Sequence, residues 1–267
     1  FPTLYISILG LFLLSTTPSC KRGADSTQKT LAEYVDPFIG TDWVGNVYPG
    51  ATVPFGMVQL SPDIGIPGWD RISGYFYPDS IITGFSHTHL SGTGAGDLYD
   101  VLIMPTNSRF NERIEANNLL PFSYFSHKHE TATAGYYSVD LLSYGIKAEL
   151  TATPRVGVQR YTFPKDEQSK ITVDLGYSIN WDKPTETYLK VVDNTTLEGY
   201  RFSTGWARNQ KVYFVIKLSK PFVDKEFTEE KENGKANRSK MVLRYATADN
   251  ETIVVKTALS MHSIAGA

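Results

Sequence analysis

Short runs rich in apolar, β-branched and aromatic residues recur along most of this chain, and turn-forming residues separate most of them. Runs of this length and composition are typical of β-strands. No helical period of apolar residues intervenes, and many short strands without helices indicate two packed antiparallel sheets. We therefore expect a mainly all-β fold, a two-sheet antiparallel β-sandwich with long loops and at most short helices. The clearest predicted strands lie at residues 146–153, 171–175, 188–192, 197–203, 212–218, 241–246 and 253–259.

The segments outside these strands give more local predictions. Residues 34–63 alternate short apolar pieces with Pro and Gly, which predicts extended segments joined by tight turns. Residues 193–194 fall between two predicted strands and suit a hairpin tip. The charged residues 225–240 predict a solvated loop, and residues 109–118 are the one candidate for a short helix.

The N-terminal segment at residues 1–20 differs in kind from the rest. Its apolar run at residues 4–14 has the length of a signal-peptide core and is too short to span a bilayer. Small residues follow, and Cys20 stands where a bacterial lipoprotein signal is cleaved and acylated. We expect a lipoprotein-type signal peptide with a truncated start, because the chain begins with Phe1 and no basic segment precedes the apolar run. A plain secretory signal with an incidental cysteine is the alternative.

Residues 21–33 are polar and lack apolar periodicity, which predicts a flexible tether ahead of a folded part at residues 34–267. Either kind of signal places the protein outside the cytoplasm, in the periplasm or on the outer-membrane surface. The membrane is then contacted only through a lipid anchor on Cys20. Since Cys20 is the only cysteine, the chain forms no internal disulfide.

Length and charge narrow the function classes. The chain has 267 residues, which suits one large domain with tails. A net charge of -2 leaves no basic field for nucleic acid, so we expect no nucleic-acid partner. The Gly-rich residues 92–96 lack the Lys-Ser/Thr ending of a phosphate-binding loop, so nucleotide binding is not expected either.

The most concentrated candidate chemistry lies at residues 83–100, where glycines accompany histidines and acids. Glycine-rich segments favour surfaces at which backbone approaches a ligand or another chain. His87 and His89 share a face in an extended strand, a spacing that suits a metal or two hydrogen-bonding side chains. No third nitrogen or sulfur ligand accompanies them, so no metal is assigned. Asp97 and Asp100 suit bonds to backbone N–H groups, or else hold sugar hydroxyls or orient a histidine.

A second candidate site is the Gly-bounded loop that contains Trp69, Asp70 and Arg71. An indole face stacks on the apolar C–H face of a sugar, while a carboxylate and a guanidinium bind its hydroxyls. The alternative is a tryptophan that fills the core beside a surface ion pair.

Several long, collinear motifs resemble the N-terminal domain of the glycoside hydrolase family 92 α-mannosidases. Together they cover nearly everything after the tether. The motifs are YVDPFIGT at 34–41, YPGATVPFGMVQLSPD at 48–63, SGY at 73–75, GFSHTHLSGTG at 84–94, AGYYSV at 134–139, YGIKAELTATPR at 144–155, RYTFP at 160–164 and GYRFSTGW at 199–206.

The resemblance implies calcium-dependent, exo-acting and inverting mannosidases, in which a β-sandwich precedes a helical (α/α)6 barrel and the site lies between the two. Both catalytic carboxylates, and most calcium ligands, then belong to the barrel, so neither is assigned to this chain. Mannose-containing glycans are the implied substrates. The residues that the resemblance places on the mannose-subsite wall are Trp69, Asp70, Arg71, His87, His89, Asp97 and Asp100.

The resemblance also implies that this chain lacks the catalytic domain and hydrolyses no α-mannoside alone. A free-standing carbohydrate-binding β-sandwich would use the same Trp69 loop without catalysis, and is the alternative function.

Overall fold

A computed structural model of the protein describes residues 29–109, 112–115 and 118–267. The proposed signal peptide, Cys20 and most of the proposed tether lie outside the described residues. Within them the helical elements are 3-10 turns at Leu31–Tyr34, Trp69–Arg71, His127–His129 and Ile264–Gly266. No helix in this described part is long and apolar enough to cross a bilayer.

The strands run through the whole described chain. They are β1 (Ala51–Thr52), β2 (Gln59–Asp63), β3 (Ile81–Ile82), β4 (Gly84–Ser86), β5 (Leu102–Thr106), β6 (Glu112–Glu115), β7 (Asn118–Pro121), β8 (Ser123–Tyr124), β9 (Glu130–Thr133), β10 (Tyr136–Leu141), β11 (Ile146–Ala152), β12 (Val156–Phe163), β13 (Asp166–Asp174), β14 (Lys183–Asp193), β15 (Thr196–Thr204), β16 (Gln210–Leu218), β17 (Asp224–Glu232), β18 (Lys235–Thr247) and β19 (Glu251–Ser260).

Two antiparallel sheets dominate the fold, which confirms the predicted β-sandwich. One has seven strands in the order β1-β2-β4-β5-β13-β18-β17, and the other has eight in the order β14-β15-β16-β19-β12-β11-β10-β9. Their inner faces share one hydrophobic core. Leu60, Phe85 and Ile171 enter it from the first sheet, whereas Tyr161 and Phe214 enter from the second.

The eight-stranded sheet shows the alternation expected of a sheet with one wet face. In β11, Ile146, Ala148 and Leu150 are buried, while Lys147 between them is exposed. Full burial of a side chain such as Ile or Leu stabilises a fold by roughly 1.5–3 kcal/mol. The sheet is therefore held mainly by apolar burial on its inner face.

The β2-β4-β5 end of the other sheet is covered on both faces. All five residues of β5 and all three of β4 are buried. A second, smaller core contains Tyr99, Tyr177 and Ile179 together with Leu102 of β5. Polar side chains that would face water elsewhere in the sandwich are therefore enclosed here.

The short helix expected at residues 109–118 is wrong. In the described part of this segment, β6 pairs with β7 in an antiparallel hairpin, with Ile114 opposite Leu119. A helix this short is marginal in water without a packed apolar face. Residues 118–121 instead offer a partner strand for the same backbone groups.

The solvated loop expected at residues 225–240 is also wrong, because β17 and β18 form a hairpin there. The predicted exposure holds for residues 225–235, which are all exposed, whereas Ser239 in β18 is buried. The turn is Asn233-Gly234, both at positive φ (52° and 80°), a sequence and geometry that favour tight hairpins. A run of charges does not prevent backbone pairing. The hairpin expected at residues 193–194 is present between β14 and β15, with its turn at residues 194–195, because Asp193 still pairs with Thr196.

Candidate functional site

The Gly-rich segment is a looped excursion between β4 and β5, and we call residues 87–101 the excursion. Its two legs are joined along the backbone. The His87 N–H donates to the Asp100 carbonyl at 2.9 Å, and the Tyr99 N–H donates to the Thr88 carbonyl at 2.9 Å. At the tip, Gly92 and Gly94 are exposed. The legs therefore hold a glycine-rich tip at the surface.

The returning leg of the excursion has a strained backbone. Leu98, Tyr99 and Val101 have positive φ values of 82°, 65° and 57°. Such values cost about 1–3 kcal/mol each in residues other than glycine and persist only where surrounding contacts impose them. Thr88 supplies such contacts, because its hydroxyl donates to Asp100 Oδ2 at 2.7 Å and accepts the Asp100 N–H at 2.9 Å.

His89 is fully buried and bonds to β2. Its Nδ1 lies 2.8 Å from the Gln59 carbonyl oxygen, and its Nε2 lies 3.1 Å from Asp63 Oδ1 and 3.0 Å from Ser86 Oγ. Both ring nitrogens therefore have a hydrogen-bond partner on β2. Asp63 Oδ2 also accepts the Ser86 N–H at 2.9 Å. His89 thus connects the excursion to the seven-stranded sheet.

His87 is buried in a different way. Its Nδ1 donates to the Val101 carbonyl at 2.8 Å, and its Nε2 lies 3.1 Å from the side-chain nitrogen of Gln159. Because the Gln159 amide can only donate from nitrogen, Nε2 accepts and the ring is neutral. Burial agrees with this, since it lowers the pKa of His87 to about 4. The two histidines therefore bond to separate partners. Among the described residues no group of three or more His, Cys, Asp or Glu side chains could hold a metal ion.

Arg201 of β15 is fully buried and makes more hydrogen bonds than the other side chains of the site. Its Nε donates to the Leu175 carbonyl at 3.1 Å, and Nη2 donates to the Tyr177 carbonyl at 2.9 Å. Nη1 donates to Asp100 Oδ1 at 2.9 Å, and both Nη atoms bond to the Asp182 carboxylate. The guanidinium therefore joins the excursion to the loop between β13 and β14.

The charges of this cluster are unequal, because one guanidinium faces two carboxylates. Burial raises the pKa of Asp182 to about 6, against the lowering effect of Arg201. Burial alone would lower the pKa of Arg201, but the charges of Asp182 and Asp100 outweigh it and raise that pKa. Arg201 is therefore always charged, whereas Asp182 titrates in the weakly acidic range.

Asp97 packs against the turn that follows β15. Its Oδ2 accepts the Ala207 N–H at 3.2 Å, and a Cβ at Gly205 would lie only 2.0 Å from Oδ1. Only glycine fits beside the carboxylate. Within the described chain Oδ1 has no hydrogen-bond partner although it is buried.

The Trp69 turn is fixed by an ion-pair cluster. Arg71 makes a two-pronged contact with Asp79, at 2.7 and 2.8 Å, and a third bond to Asp70 at 2.8 Å. The guanidinium also lies 4.5 Å from the centre of the Phe76 ring. Partly exposed pairs of this kind contribute little stability. They do fix the direction of a turn, and here the turn carries Trp69.

All four tryptophans of the sequence are exposed. Tryptophan usually buries much of its large surface, so exposure of every one is unusual. We call these residues the tryptophan rim. Their exposed fractions are 78% for Trp43, 62% for Trp69, 54% for Trp181 and 66% for Trp206.

Two rim residues lie beside the exposed tip of the excursion. Trp43 is in the turn of residues 42–45, next to Asn46, whose carbonyl accepts the Gly92 N–H at 2.6 Å. The Trp69 ring lies against Gly94, where a Cβ would come within 2.8 Å of the indole. The absence of a side chain at Gly94 lets Trp69 and the excursion meet closely.

The other two rim residues lie beside the returning leg. The Trp181 N–H donates to the Gly96 carbonyl at 3.1 Å. Trp206 follows Gly205 and precedes Ala207, the residues that contact Asp97. Trp69 and Trp181 therefore contact residues 94 and 96 directly, Trp206 lies between two residues that contact Asp97, and Trp43 lies three residues before Asn46, which bonds Gly92.

The sequence-predicted site residues fall into two groups. Trp69 is exposed, and Asp70 and Arg71 are partly exposed beside it. The others, His87, His89, Asp97 and Asp100, are buried under the excursion. Sequence reasoning missed Arg201, Asp182, Asp63 and the other three tryptophans. Arg201 and Trp206 do occur in the quoted motif at 199–206, but nothing local there reveals their partners.

A profile of the glycosyl hydrolase family 92 N-terminal domain matches residues 34–260. The chain belongs to glycosyl hydrolase family 92. Residues 34–260 form the N-terminal domain of that family, as the motifs predicted.

Solved members of family 92 share the fold. A family 92 α-mannosidase from Bacteroides thetaiotaomicron, solved with mannoimidazole, is 34% identical with a TM-score of 0.77, over 90% of this chain and 33% of the mannosidase. A family 92 inverting mannosidase from Bacteroides thetaiotaomicron VPI-5482 is 27% identical with a TM-score of 0.68, over 89% of this chain and 33% of that enzyme. The chain thus spans about a third of the length of these enzymes.

A secreted relative is also similar. An uncharacterized secreted glycosidase of Arthroderma benhamiae is 28% identical over 169 residues, which are 60% of this chain and 20% of the glycosidase.

Proposed function

We propose that this family 92 domain is the non-catalytic N-terminal part of an exported exo-α-mannosidase and supplies one wall of its mannose subsite. The observation that carries the proposal is the tryptophan rim, in which every tryptophan of the chain is exposed around a firmly held excursion. Exposed aromatic faces of this kind suit the apolar faces of sugars or a neighbouring domain.

The wall has complementary parts. The indole of Trp69 offers a stacking face, and Asp70 beside it keeps a partly exposed carboxylate for sugar hydroxyls. Gly92 and Gly94 let a ligand or a second domain approach the backbone closely. Arg71 fixes the direction of the Trp69 turn through Asp79.

The buried candidates act from behind the wall. His89 holds the outgoing leg to β2 through Gln59 and Asp63, and His87 holds the returning leg through Val101. Asp100 and Asp97 fix the returning leg against Arg201 and the turn at Ala207. These four residues shape the mannose subsite by fixing the excursion beneath the rim.

Inverting hydrolysis needs one carboxylic acid to protonate the leaving oxygen and one carboxylate to activate water, about 6.5–9.5 Å apart. We assign both groups to the part of the parent enzyme that this chain does not span, in a helical (α/α)6 domain. We place most ligands of the parent enzyme's calcium there too, as the family resemblance implies. Mannose-containing glycans are the proposed substrates.

Hydrolysis and binding assays on the purified chain test this proposal. We expect no release of nitrophenol from an aryl α-mannoside above a heat-killed control, together with weak binding of methyl α-D-mannopyranoside by calorimetry. Turnover above the control would contradict the assignment of catalysis elsewhere. Tight binding without turnover would favour the alternative, a carbohydrate-binding module, for which the exposed rim is equally suited.

Export and lipid anchoring form a separate part of the proposal. The secreted relative and the apolar run before Cys20 support export. We expect a bacterial host to incorporate labelled palmitate into the chain and Cys20→Ser to abolish the label. A labelled Cys20→Ser variant would contradict the anchor.

A further inference from the structure

Arg201 occupies a position that apolar residues fill elsewhere in the same sandwich. In β15, Leu197, Gly199, Arg201 and Ser203 are buried, while Tyr200 and its outward neighbours are more exposed. An arginine on the inner face must find a partner for each of its five N–H donors, or else the burial cost is large. Arg201 does so through two backbone carbonyls and two carboxylates.

The partners of Arg201 come from separate segments that carry the rim. Asp100 lies near the end of the returning leg of the excursion, which is next to Trp181 through Gly96 and next to the Trp206 turn through Asp97. Asp182 directly follows Trp181. The strand that carries Arg201 itself leads into Gly205 and Trp206. One planar guanidinium therefore sets the relative positions of two rim tryptophans and the excursion.

Stability alone gives little reason for this arrangement. Replacing a buried ionic cluster by packed apolar residues is often neutral or stabilising. Here the cluster also contains an excess carboxylate, since Asp100 and Asp182 share one cation. A guanidinium does fix the orientation of the groups that it binds, because its donors lie in one plane at set angles. A binding wall built from separate loops requires that these loops are held in fixed orientations.

We propose that Arg201 is a positioning residue for the mannose-binding wall. Through its bonds to Asp100 and Asp182, it holds the excursion and the Trp181 turn at fixed positions relative to each other. This inference rests on the proposed function of the rim. Arg201 touches no substrate in this account and acts only through the loops that it joins.

Asp182→Asn is the sharpest test, because it separates positioning from stability. The amide keeps the size of the carboxylate but loses its charge, so the urea midpoint of unfolding at pH 7.5 should stay equal or rise. The bond to Arg201 weakens at the same time. We expect the Trp181 amide to exchange hydrogen about tenfold faster, the factor that corresponds to one lost hydrogen bond. Affinity for methyl α-D-mannopyranoside should fall several-fold by calorimetry.

Arg201→Lys is the second variant, since it keeps the charge but loses the fork. It should also speed exchange at Trp181 and weaken mannoside binding. Arg160→Lys is the matched control, because Arg160 makes a two-pronged contact with Glu149, at 2.7 and 2.6 Å, on the exposed face of the same sheet. Arg160→Lys should change neither the hydrogen exchange at Trp181 nor the mannoside affinity.

Two results would overturn the inference. One is unchanged exchange at Trp181 in both variants. The other is a loss of mannoside affinity that is proportional to the loss of stability in urea across all variants, because a purely structural role predicts that proportion. If the unsubstituted chain binds no methyl α-D-mannopyranoside, the proposed function fails, and exchange at Trp181 still decides whether Arg201 positions the loops.

Discussion

The eight-stranded sheet and the excursion bury their side chains by opposite means. In β11, the buried residues Ile146, Ala148 and Leu150 belong to the hydrophobic core, and the residues between them are more exposed. In residues 81–89, which lead into the excursion and include its first three residues, every residue is buried, whether apolar or polar. The polar ones bond to one another and to backbone. The stability of the first region depends on buried apolar area, so it tolerates small changes of side chain. The stability of the second depends on individual hydrogen bonds and charges.

The largest effect expected from this difference concerns the two arginines. Arg201→Met leaves Asp100 and Asp182 buried without their cation, which should lower the free energy of unfolding by about 3–5 kcal/mol. Arg160→Met removes an exposed pair from the outer face and should cost less than about 1 kcal/mol. Urea titrations of both variants at pH 7 measure the two losses. Equal losses would contradict the distinction between the two regions.

The next effect is an opposite pH dependence of two buried groups. The folded protein holds the Asp182 proton more tightly than the unfolded chain, since its pKa is raised from 3.8 to about 6. This contribution to stability is present below about pH 4 and is lost as the pH rises through 6. Relative to the unsubstituted protein, Asp182→Asn should therefore gain about 3 kcal/mol between pH 4 and pH 7.

His87 has the reverse sign. Its pKa falls from 6.5 to about 4 on folding, so its contribution is present above pH 6.5 and lost as the pH falls toward 4. Relative to the unsubstituted protein, His87→Gln should gain about 3 kcal/mol as the pH falls from 7 to 4. Unfolding titrations across this range measure both variants. Parallel pH profiles for the two would contradict the assigned burial of these groups.

A smaller effect compares the same isosteric substitution in both regions. Thr88→Val removes two bonds to Asp100, at 2.7 and 2.9 Å, and should cost about 1–3 kcal/mol. Thr257 of β19 is also fully buried, but its hydroxyl has no hydrogen-bond partner in the described residues. Thr257→Val should therefore be neutral or stabilising. Thermal unfolding compares them, and a larger loss at Thr257 would contradict the comparison.

Much of the sandwich could be predicted from sequence because its signals are local. Strand-length apolar runs and turn residues predict β11, β13 to β16, β18 and β19. The failures are also local in origin. At residues 225–240 the abundance of charge concealed the hairpin signal of Asn233-Gly234, and residues 109–118, the one candidate for a helix, contain a strand pair.

The site could be predicted only in part. The Gly-rich run and the Trp69 loop stand out by composition, and the structure does bring them together at Gly94. The role of Arg201 is not readable from β15, because alternation does not tell which face is inside. Its partners Asp100 and Asp182 lie 101 and 19 residues away along the chain. Exposure of the whole tryptophan rim likewise depends on tertiary contacts.

Binding of methyl α-D-mannopyranoside to Trp69→Ala, measured by calorimetry, tests most directly whether the tryptophan rim forms a mannose-binding wall. Phe55→Ala is the matched control, because Phe55 is a fully exposed aromatic residue outside the rim. A mannose wall formed by the rim predicts that Trp69→Ala loses most of the affinity, by about tenfold or more, while Phe55→Ala keeps it. Equal affinity in the unsubstituted chain and Trp69→Ala would contradict the account.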